Sequence, residues 1–522
     1  MFESKYSKYI AYNPTRFAEE DEILSQLVPA DKCAGVPLYA KDGIVYVDDK
    51  DNHSIVIGGT GCGKSRACSK TTIRSVIAAG ESAIVNDPKG ELFKTTAGFA
   101  KHNNYRIYVL NLRDPEKSHH WNPLYSIYLY YHSGQLSKAQ QAIDDFATDM
   151  MIKTANERDR YWDTVAAAYL SRIIELCMYF APTPAHFTLE NIIPLCNESS
   201  ERTIISMMDY VDNLSEAVKA GINGVVTLQA EKTKSCIYSV LNSGLNTLIK
   251  SSALLTLFNS SDIDFRQMAF EPTITYIIYP DEKSTMNNVV KAFLTQAYTA
   301  LVDVCNEQAN DRLPVRMNFI LDEFSNLTQI ESFDNRISES RSKNIRYHLY
   351  CQSMNQLSEK YGDYVAETIL SNCTSWVCFS SKETKFLEYI SRLCGTVTDY
   401  NGAEKPLISP SELQFLEKGD SAVEVLILRQ GVRPYVTRLP YYDKIYEANY
   451  TLPEIIPSKI SVTSKLRCDD WIRLAQDYES KNTCSMPELL TDEEQLESLT
   501  AALQKSIDFH YGPVDSADDE DD

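Results

Sequence analysis

Long apolar runs are missing from this sequence. No stretch approaches the roughly 18 uninterrupted apolar residues that a membrane-spanning helix requires. The nearest candidate, Val165–Ala181, is broken by Arg172 and Glu175. The N-terminus also lacks a basic and apolar leader ending in small residues, so the chain is expected to stay in the cytoplasm. Cysteines at metal-binding spacing are missing too. The 13 cysteines, an odd number with no C-x-x-C pair, exclude a disulfide framework and a zinc site and read as reduced thiols. Positive charge is scarce: 51 Lys and Arg face 72 Asp and Glu, a net charge of −21. That balance excludes a surface coated for nucleic-acid binding, so any contact with DNA must be confined to a few loops.

What is present is an ordinary globular composition, 43% apolar and 24% charged, over 522 residues. That length exceeds one hydrophobic core and implies two or more domains.

The most informative stretch is SIVIGGTGCGKS, Ser54–Ser65. A β-branched run, Ile55–Ile57, leads into G-x-x-x-x-G-K-S, the pattern of a phosphate-binding loop. Glycines at 58, 59, 61 and 63 let successive backbone N–H groups turn inward around a phosphate chain. Thr60 and Cys62 complete the loop, Lys64 supplies a point charge to the β and γ phosphates, and the Ser65 hydroxyl is placed to hold Mg²⁺. Arg66–Ala79 carries no proline and reads as a helix whose N-terminus adds partial positive charge to the anion site. The cofactors predicted are therefore ATP and Mg²⁺.

Around this loop the chain alternates strands and helices. Residues 1–43 read as a lead-in, and Ile44–Val47 as a small edge strand. Ser82–Val85 is an apolar strand followed by NDPKGELF, Asn86–Phe93, where a carboxylate at a strand's end belongs with ligand-contacting groups. Asp87 is read as an outer partner of Mg²⁺ or of the attacking water. Lys89 is read either as reaching a phosphate or a neighbouring subunit, or as a solvated turn residue. A third strand, Arg106–Leu112, precedes HHWNPL, His119–Leu124.

From Tyr125 to Asp264 strand signals vanish. Trp162, Val165, Ala166, Tyr169, Ile173, Leu176, Cys177 and Phe180 recur at helical spacing, and Ser137–Ala155 and Gln229–Ile249 also read as helices. The α/β pattern resumes with Thr273–Pro280, a helix over Met286–Cys305, and RMNFILDEF, Arg316–Phe324. An apolar strand ending in Asp-Glu downstream of a phosphate loop supplies the second half of an ATPase site. Asp322 accepts hydrogen bonds from Mg²⁺-bound water and Glu323 polarises the attacking water.

A helix over Ser332–Ser342 carries Arg336 and Arg341, and the strand Arg346–Tyr350 ends beside Gln352, placed to sense a γ-phosphate. Arg341 reads either as a finger for a neighbouring subunit's ATP or as a surface arginine. Strands at Ser375–Phe379 and Val423–Leu428 complete a sheet of about eight strands. Beyond Tyr450 the chain is helical and polar. It ends in DSADDEDD, an acidic run that either binds a basic partner or only solvates the terminus.

In this order the motifs resemble those of the TraG-like coupling ATPases of type IV secretion and bacterial conjugation. The matching pieces are IVIGGTGCGKS, NDPKGELF with TAG at 96–98, HHWNPL, RYWDTVAAAYL, FILDEF, SESRSKNIRYHLYCQSMNQLSEKYG, ILSNC, EYISRLCG, LISPSEL and RLPYYDK. The resemblance implies a RecA-like α/β motor with a mostly parallel sheet and an inserted all-α domain, assembled as a hexameric ring. Such motors pass DNA with its attached relaxase, or protein effectors, to a secretion channel using ATP. It places Lys64 and Ser65 on Walker A, Asp322 and Glu323 on Walker B, Arg341 on the arginine finger and Gln352 on the motif III glutamine.

The expected boundaries are a lead-in over 1–43, the motor over 44–124 and 265–450, the all-α insertion over 125–264, and a helical segment with acidic tail over 451–522. Most relatives begin with transmembrane helices. The expectation here is either a chain held at the inner face of the membrane by a separate anchoring subunit that docks it to the channel, or a soluble form of a longer sequence without those helices. Two alternatives are a receptor platform whose helical domain and tail bind substrates while ATP only changes its shape, and a cytoplasmic DNA-processing motor.

Overall fold

The computed structural model describes residues 15–482 except 153–156, 212–213, 250, 281–283, 399–402, 447–449 and 458–464. The acidic run Asp515–Asp522 and the expected helix end at Ala155 lie outside the described residues.

The frame is a nine-stranded sheet. Its parallel strands are β1 (His53–Ile57), β2 (Ser82–Asn86), β3 (Arg106–Asn111), β4 (Thr273–Ile278), β5 (Met317–Leu321), β6 (Ile345–Cys351) and β7 (Cys373–Cys378). An antiparallel hairpin, β8 (Ala422–Arg429) and β9 (Val432–Pro440), extends the sheet from β7. The order across the sheet is β9-β8-β7-β1-β6-β5-β2-β4-β3. The strand absent from the sequence reading is β9, where Pro434 interrupts the pattern; an edge position tolerates a residue without an N–H.

Strands β1 and β2 are buried along their whole length, and their apolar stretches, Ile55–Ile57 and Ala83–Val85, are unbroken because helices cover both faces. The period of two divides their side chains between two cores. Val56, Val85, Ile320 and Tyr350 pack with α1 (Lys70–Ala78) and α2 (Glu91–His102). Ile55, Ile57, Leu321 and Leu349 face the other way and join a cluster that continues into the helices after β3.

Among the described residues, 125–264 contain helices and no strand. The long ones are α3 (Leu136–Met151), α4 (Glu157–Phe180) and α5 (Glu231–Ile249). On α4 the periodic positions Ala166, Tyr169, Ile173, Leu176, Cys177 and Phe180 are buried. Arg172 and Glu175, which break the apolar run, pair with each other. The helical segment thus shares one unbroken apolar cluster with a face of the sheet. Helix α6 (Ser284–Glu307) buries Lys291 against Asp149 at 3.4 Å, and burial pushes that carboxyl above its usual range.

The expected lead-in contributes short strands at Val28–Pro29 and Tyr39–Lys41, which pair with Ile44–Val47, and Ala34, Val36 and Leu38 join the α1 and α2 core. Near the other end, a helix at Cys468–Asn482 docks across the helical segment. Its Trp471 is fully buried and donates its indole N–H to the Asn191 carbonyl at 3.2 Å.

Candidate active site

Strand register brings the motif residues to one edge. Ile57 pairs with Cys351, Leu349 with Leu321, and Leu321 with Asn86. The next residue of each strand, namely Gly58, Gln352, Asp322 and Asp87, therefore emerges at the same carboxyl edge. Strand β6 separates β1 from β5, so the phosphate loop and the acidic pair start about 10 Å apart, two strand spacings. That gap suits a triphosphate.

The loop from Gly58 to Ser65 needs its glycines for two separate reasons. A Cβ at Gly58 would stand 2.5 Å from Cβ of Phe379 and 2.8 Å from Sγ of Cys62. Gly61 and Gly63 have φ of +76° and +105°, the left-handed region that a Cβ disfavours. The helix expected over Arg66–Ala79 begins differently: Ser65–Ser69 is a π-helical turn, and α1 proper starts at Lys70. Such turns recur at functional sites because they re-aim the residues at a helix start. Lys64 is buried, and its ammonium donates to the carbonyls of Gly58 and, at 3.3 Å, Gly59.

Across the edge, one chain of contacts joins the loop to the acidic pair. Thr60 donates its hydroxyl to Oε1 of Gln352 at 3.0 Å. Gln352 donates its amide to Oε2 of Glu323, and the Lys89 ammonium lies 3.5 Å from Oε1 of the same carboxylate. Lys89 is 55% exposed at the rim, so its turn is solvated and still reaches the centre. Glu323 itself has φ +53°, strained for a residue with a side chain.

Asp322 is buried below it. Ser69 donates to its Oδ1 at 3.5 Å, and Asn86 donates to its backbone carbonyl at 2.6 Å. Burial, then the neighbouring charges of Glu323 and Asp87, push the Asp322 carboxyl up to about 7, against the pull of Lys64 and Lys89.

Asp87 is also buried, and the backbone of the α2 amino end occupies it: Phe93 N–H donates to Oδ2 at 2.8 Å. Burial raises its carboxyl to about 6, while backbone donors from Gly90 to Phe93 pull the other way. Asp87 therefore caps a helix beside the site.

Arg341 lies elsewhere. It is exposed at the C-terminal end of α7 (Phe333–Ser340), near His53 at the amino end of β1. Five strand residues, about 16 Å, separate that end from the phosphate loop, so Arg341 cannot serve its own chain's loop. It forms no hydrogen bond or ion pair with the described residues. Arg336, by contrast, is tied to Thr295 at 3.2 Å.

Ser69 and Asn86 were not singled out from sequence. The available signal was position: Ser69 lies four residues after Ser65, and Asn86 ends an apolar strand as a polar residue.

The site fits a magnesium nucleotide. Three carboxyl groups face two ammonium groups, leaving an excess of negative charge at Asp322 that a cation would relieve. Among the described residues no three His, Cys, Asp or Glu side chains converge to hold a metal by themselves. Mg²⁺ keeps waters and takes substrate phosphates beside one or two protein oxygens, and the buried Asp322 carboxyl is such an oxygen at this edge.

Comparison with known proteins then places the chain. Residues 13–402 match the model of the family described as Type IV secretory system Conjugative DNA transfer. The chain belongs to this family. Among curated members of conjugation systems it is similar to the conjugal transfer protein TraG of Escherichia coli, 22% identical over 431 residues covering 73% of this chain and 66% of that protein. It is 20% identical over 453 residues to VirD4 of Rhizobium radiobacter, covering 80% and 62% respectively. The chain thus spans about two thirds of the length of the curated relatives it matches.

Among solved structures, it resembles the plasmid coupling protein TrwB in complex with the ATP analogue ADPNP, with TM-score 0.58 at 15% identity over 85% of this chain and 97% of that one. TrwB with ADP and Mg²⁺ gives 0.57 at 15% identity, covering 85% and 96%. The chain shares with TrwB the RecA-like α/β fold expected from the motifs. Among the described residues, no helix is long and apolar enough to cross a membrane.

Proposed function

We propose that the protein is an ATP-hydrolysing coupling protein that recruits DNA with its attached relaxase, or protein substrates, and drives them to a type IV secretion channel. The observation that carries this reading is the convergence at one sheet edge of Lys64, Asp322, Glu323 and Gln352 in a chain of the conjugative DNA transfer family. TrwB, whose fold it shares, has been solved with ADPNP and with ADP and Mg²⁺, which supports ATP and magnesium as the ligands here.

In this reading the loop Gly58–Ser65 binds the phosphates and Lys64 leaves its loop carbonyls for the β and γ oxygens. Ser65 and Asp322 would hold Mg²⁺, which would supply positive charge to neutralise the phosphate chain. Glu323 orients the attacking water and takes its proton as the water oxygen bonds to the γ-phosphorus and the bond to ADP breaks. Gln352 touches both Thr60 and Glu323, so it links the γ-phosphate position to the base.

Arg341, out of reach of its own loop, acts on the adjoining subunit of a hexameric ring. The helical segment 125–264 faces the substrate. The motor over 44–124 and 265–450 turns hydrolysis into movement, and a separate membrane protein anchors the ring at the inner face of the membrane.

DNA is expected to stimulate ATP hydrolysis, with a shallow loss of stimulation as salt rises, because a chain of net charge −21 offers few phosphate contacts. Steady-state ATPase assays with single- and double-stranded DNA across a salt series check this. Hydrolysis indifferent to both forms at every salt concentration removes DNA from the reading.

A further inference from the structure

The turn after Glu323 is gripped from outside. Phe324–Asn326 forms a 3-10 turn, closed by Asn326 N–H donating to the Glu323 carbonyl at 2.8 Å. The three carbonyls that follow are taken by side chains from other elements. Asn287 of α6 donates to Asn326 O at 3.3 Å, and the Lys360 ammonium donates to both Ser325 O and Leu327 O.

Lys360 lies on α8 (Met354–Tyr361), half-buried, with no carboxylate in ion-pair contact among the described residues. Lysine heads normally stay in water or pair with an acid. This one is instead spent on two backbone oxygens directly downstream of a residue held at φ +53°. Left-handed backbone at such a residue persists only where its surroundings fix it.

Helix α8 also begins next to Gln352, whose amide holds the Glu323 side chain. One short segment therefore grips Glu323 twice, by its carboxylate at one end and by its backbone turn two helical turns later.

We propose that Lys360 is a positioning residue for hydrolysis: its ammonium locks the Ser325–Leu327 turn and so fixes the left-handed backbone that aims Glu323 at the attacking water. This rests on the ATPase reading above. The lock makes α8 the element through which γ-phosphate contact at Gln352 and the aim of Glu323 move together.

The electrostatics agree. Burial lowers the Lys360 ammonium to about 8, against an opposing pull from Cys351 of β6, whose own thiol burial holds up at about 12. The other titratable groups nearby are Tyr361 on its own helix and, through Cys351, Lys64 and Glu323. Lys360 therefore loses its charge within the range of an ordinary assay, and a neutral amine is the weaker donor.

The test compares wild type with Lys360→Met and Lys360→Arg. Lys360→Met is expected to lower kcat about 10- to 100-fold, with affinity for ADPNP held within roughly twofold. Amide exchange at Phe324–Leu327 should quicken in that variant. Wild-type kcat should decline above about pH 8, following the Lys360 ammonium, while Lys360→Arg, charged throughout, keeps its rate.

Unchanged kcat and exchange in Lys360→Met overturn the proposal, as does a parallel loss of ADPNP affinity. If Lys360→Met fails to fold, an alkaline decline identical in wild type and Lys360→Arg overturns it. A wild type that hydrolyses no ATP defeats the ATPase reading instead, and the exchange measurement still decides whether Lys360 holds the turn.

Discussion

Lys64→Ala abolishes ATP hydrolysis, by at least about 10²- to 10³-fold, the usual loss when one preorganised donor to a developing charge is removed. It also weakens nucleotide binding by about ten- to a hundredfold, the equivalent of one charged hydrogen bond. The structure explains why both should follow. Lys64 is buried and, among the described residues, donates only to the carbonyls of its own loop, Gly58 and Gly59. Those carbonyls are weaker partners than phosphate oxygens, so the ammonium transfers when a nucleotide arrives. Alanine leaves the loop fold intact, because its shape depends on Gly58, Gly61 and Gly63, not on the lysine. Calorimetry with ADPNP and a coupled ATPase assay check the two losses; wild-type turnover in Lys64→Ala contradicts them.

The second large effect concerns the division of a site between subunits. Glu323→Gln should lose about 10²- to 10⁴-fold in rate by removing the base, and Arg341→Ala about 10³- to 10⁵-fold by removing a finger. Each variant should be inactive alone. Mixed together, they should recover activity. In a random equal mixture of head-to-tail rings, about one interface in four joins an intact Glu323 to an intact neighbouring Arg341. The geometric ground is the position of Arg341 at the amino end of the sheet, exposed and some 16 Å of strand away from its own loop. Verified mixed assemblies with no recovery overturn the shared site and leave Arg341 a surface residue.

Much of this was legible in the chain because the chemistry admits few alternatives. A phosphate loop needs glycine where a Cβ collides or φ turns positive, and Gly58, Gly61 and Gly63 stand at such points. The strand before Asp322 is covered on both faces, and its last three residues, Phe319–Leu321, read as an apolar run up to the carboxylate. The periodicity of α4 likewise follows from its burial on one side.

What stayed hidden depends on the tertiary meeting of distant residues. Nothing in the spacing of Ser69 and Asp322 announces that they share a hydrogen bond, nor that Lys360 serves the turn after Glu323. Asp87 reads as an outer partner of Mg²⁺ or of the attacking water from its place at a strand end; that the amino end of α2 folds back over it, with Phe93 N–H donating to its Oδ2, is not legible there. The edge strand β9 escaped notice because a proline is tolerated there.

The most direct test of the central claim, that Lys64 and the acidic pair serve one triphosphate, is electron paramagnetic resonance with Mn²⁺ in place of Mg²⁺. A single Mn²⁺ per chain should bind only with ADPNP present and show coupling to phosphate phosphorus. Because the Asp322 carboxyl sits at about 7, and only its ionised form coordinates, Mn²⁺ should bind more tightly at pH 8 than at pH 6. Asp322→Asn and Lys64→Ala should each remove the signal. Mn²⁺ that binds without nucleotide, or that persists unchanged in both variants, would place the metal elsewhere and contradict the account.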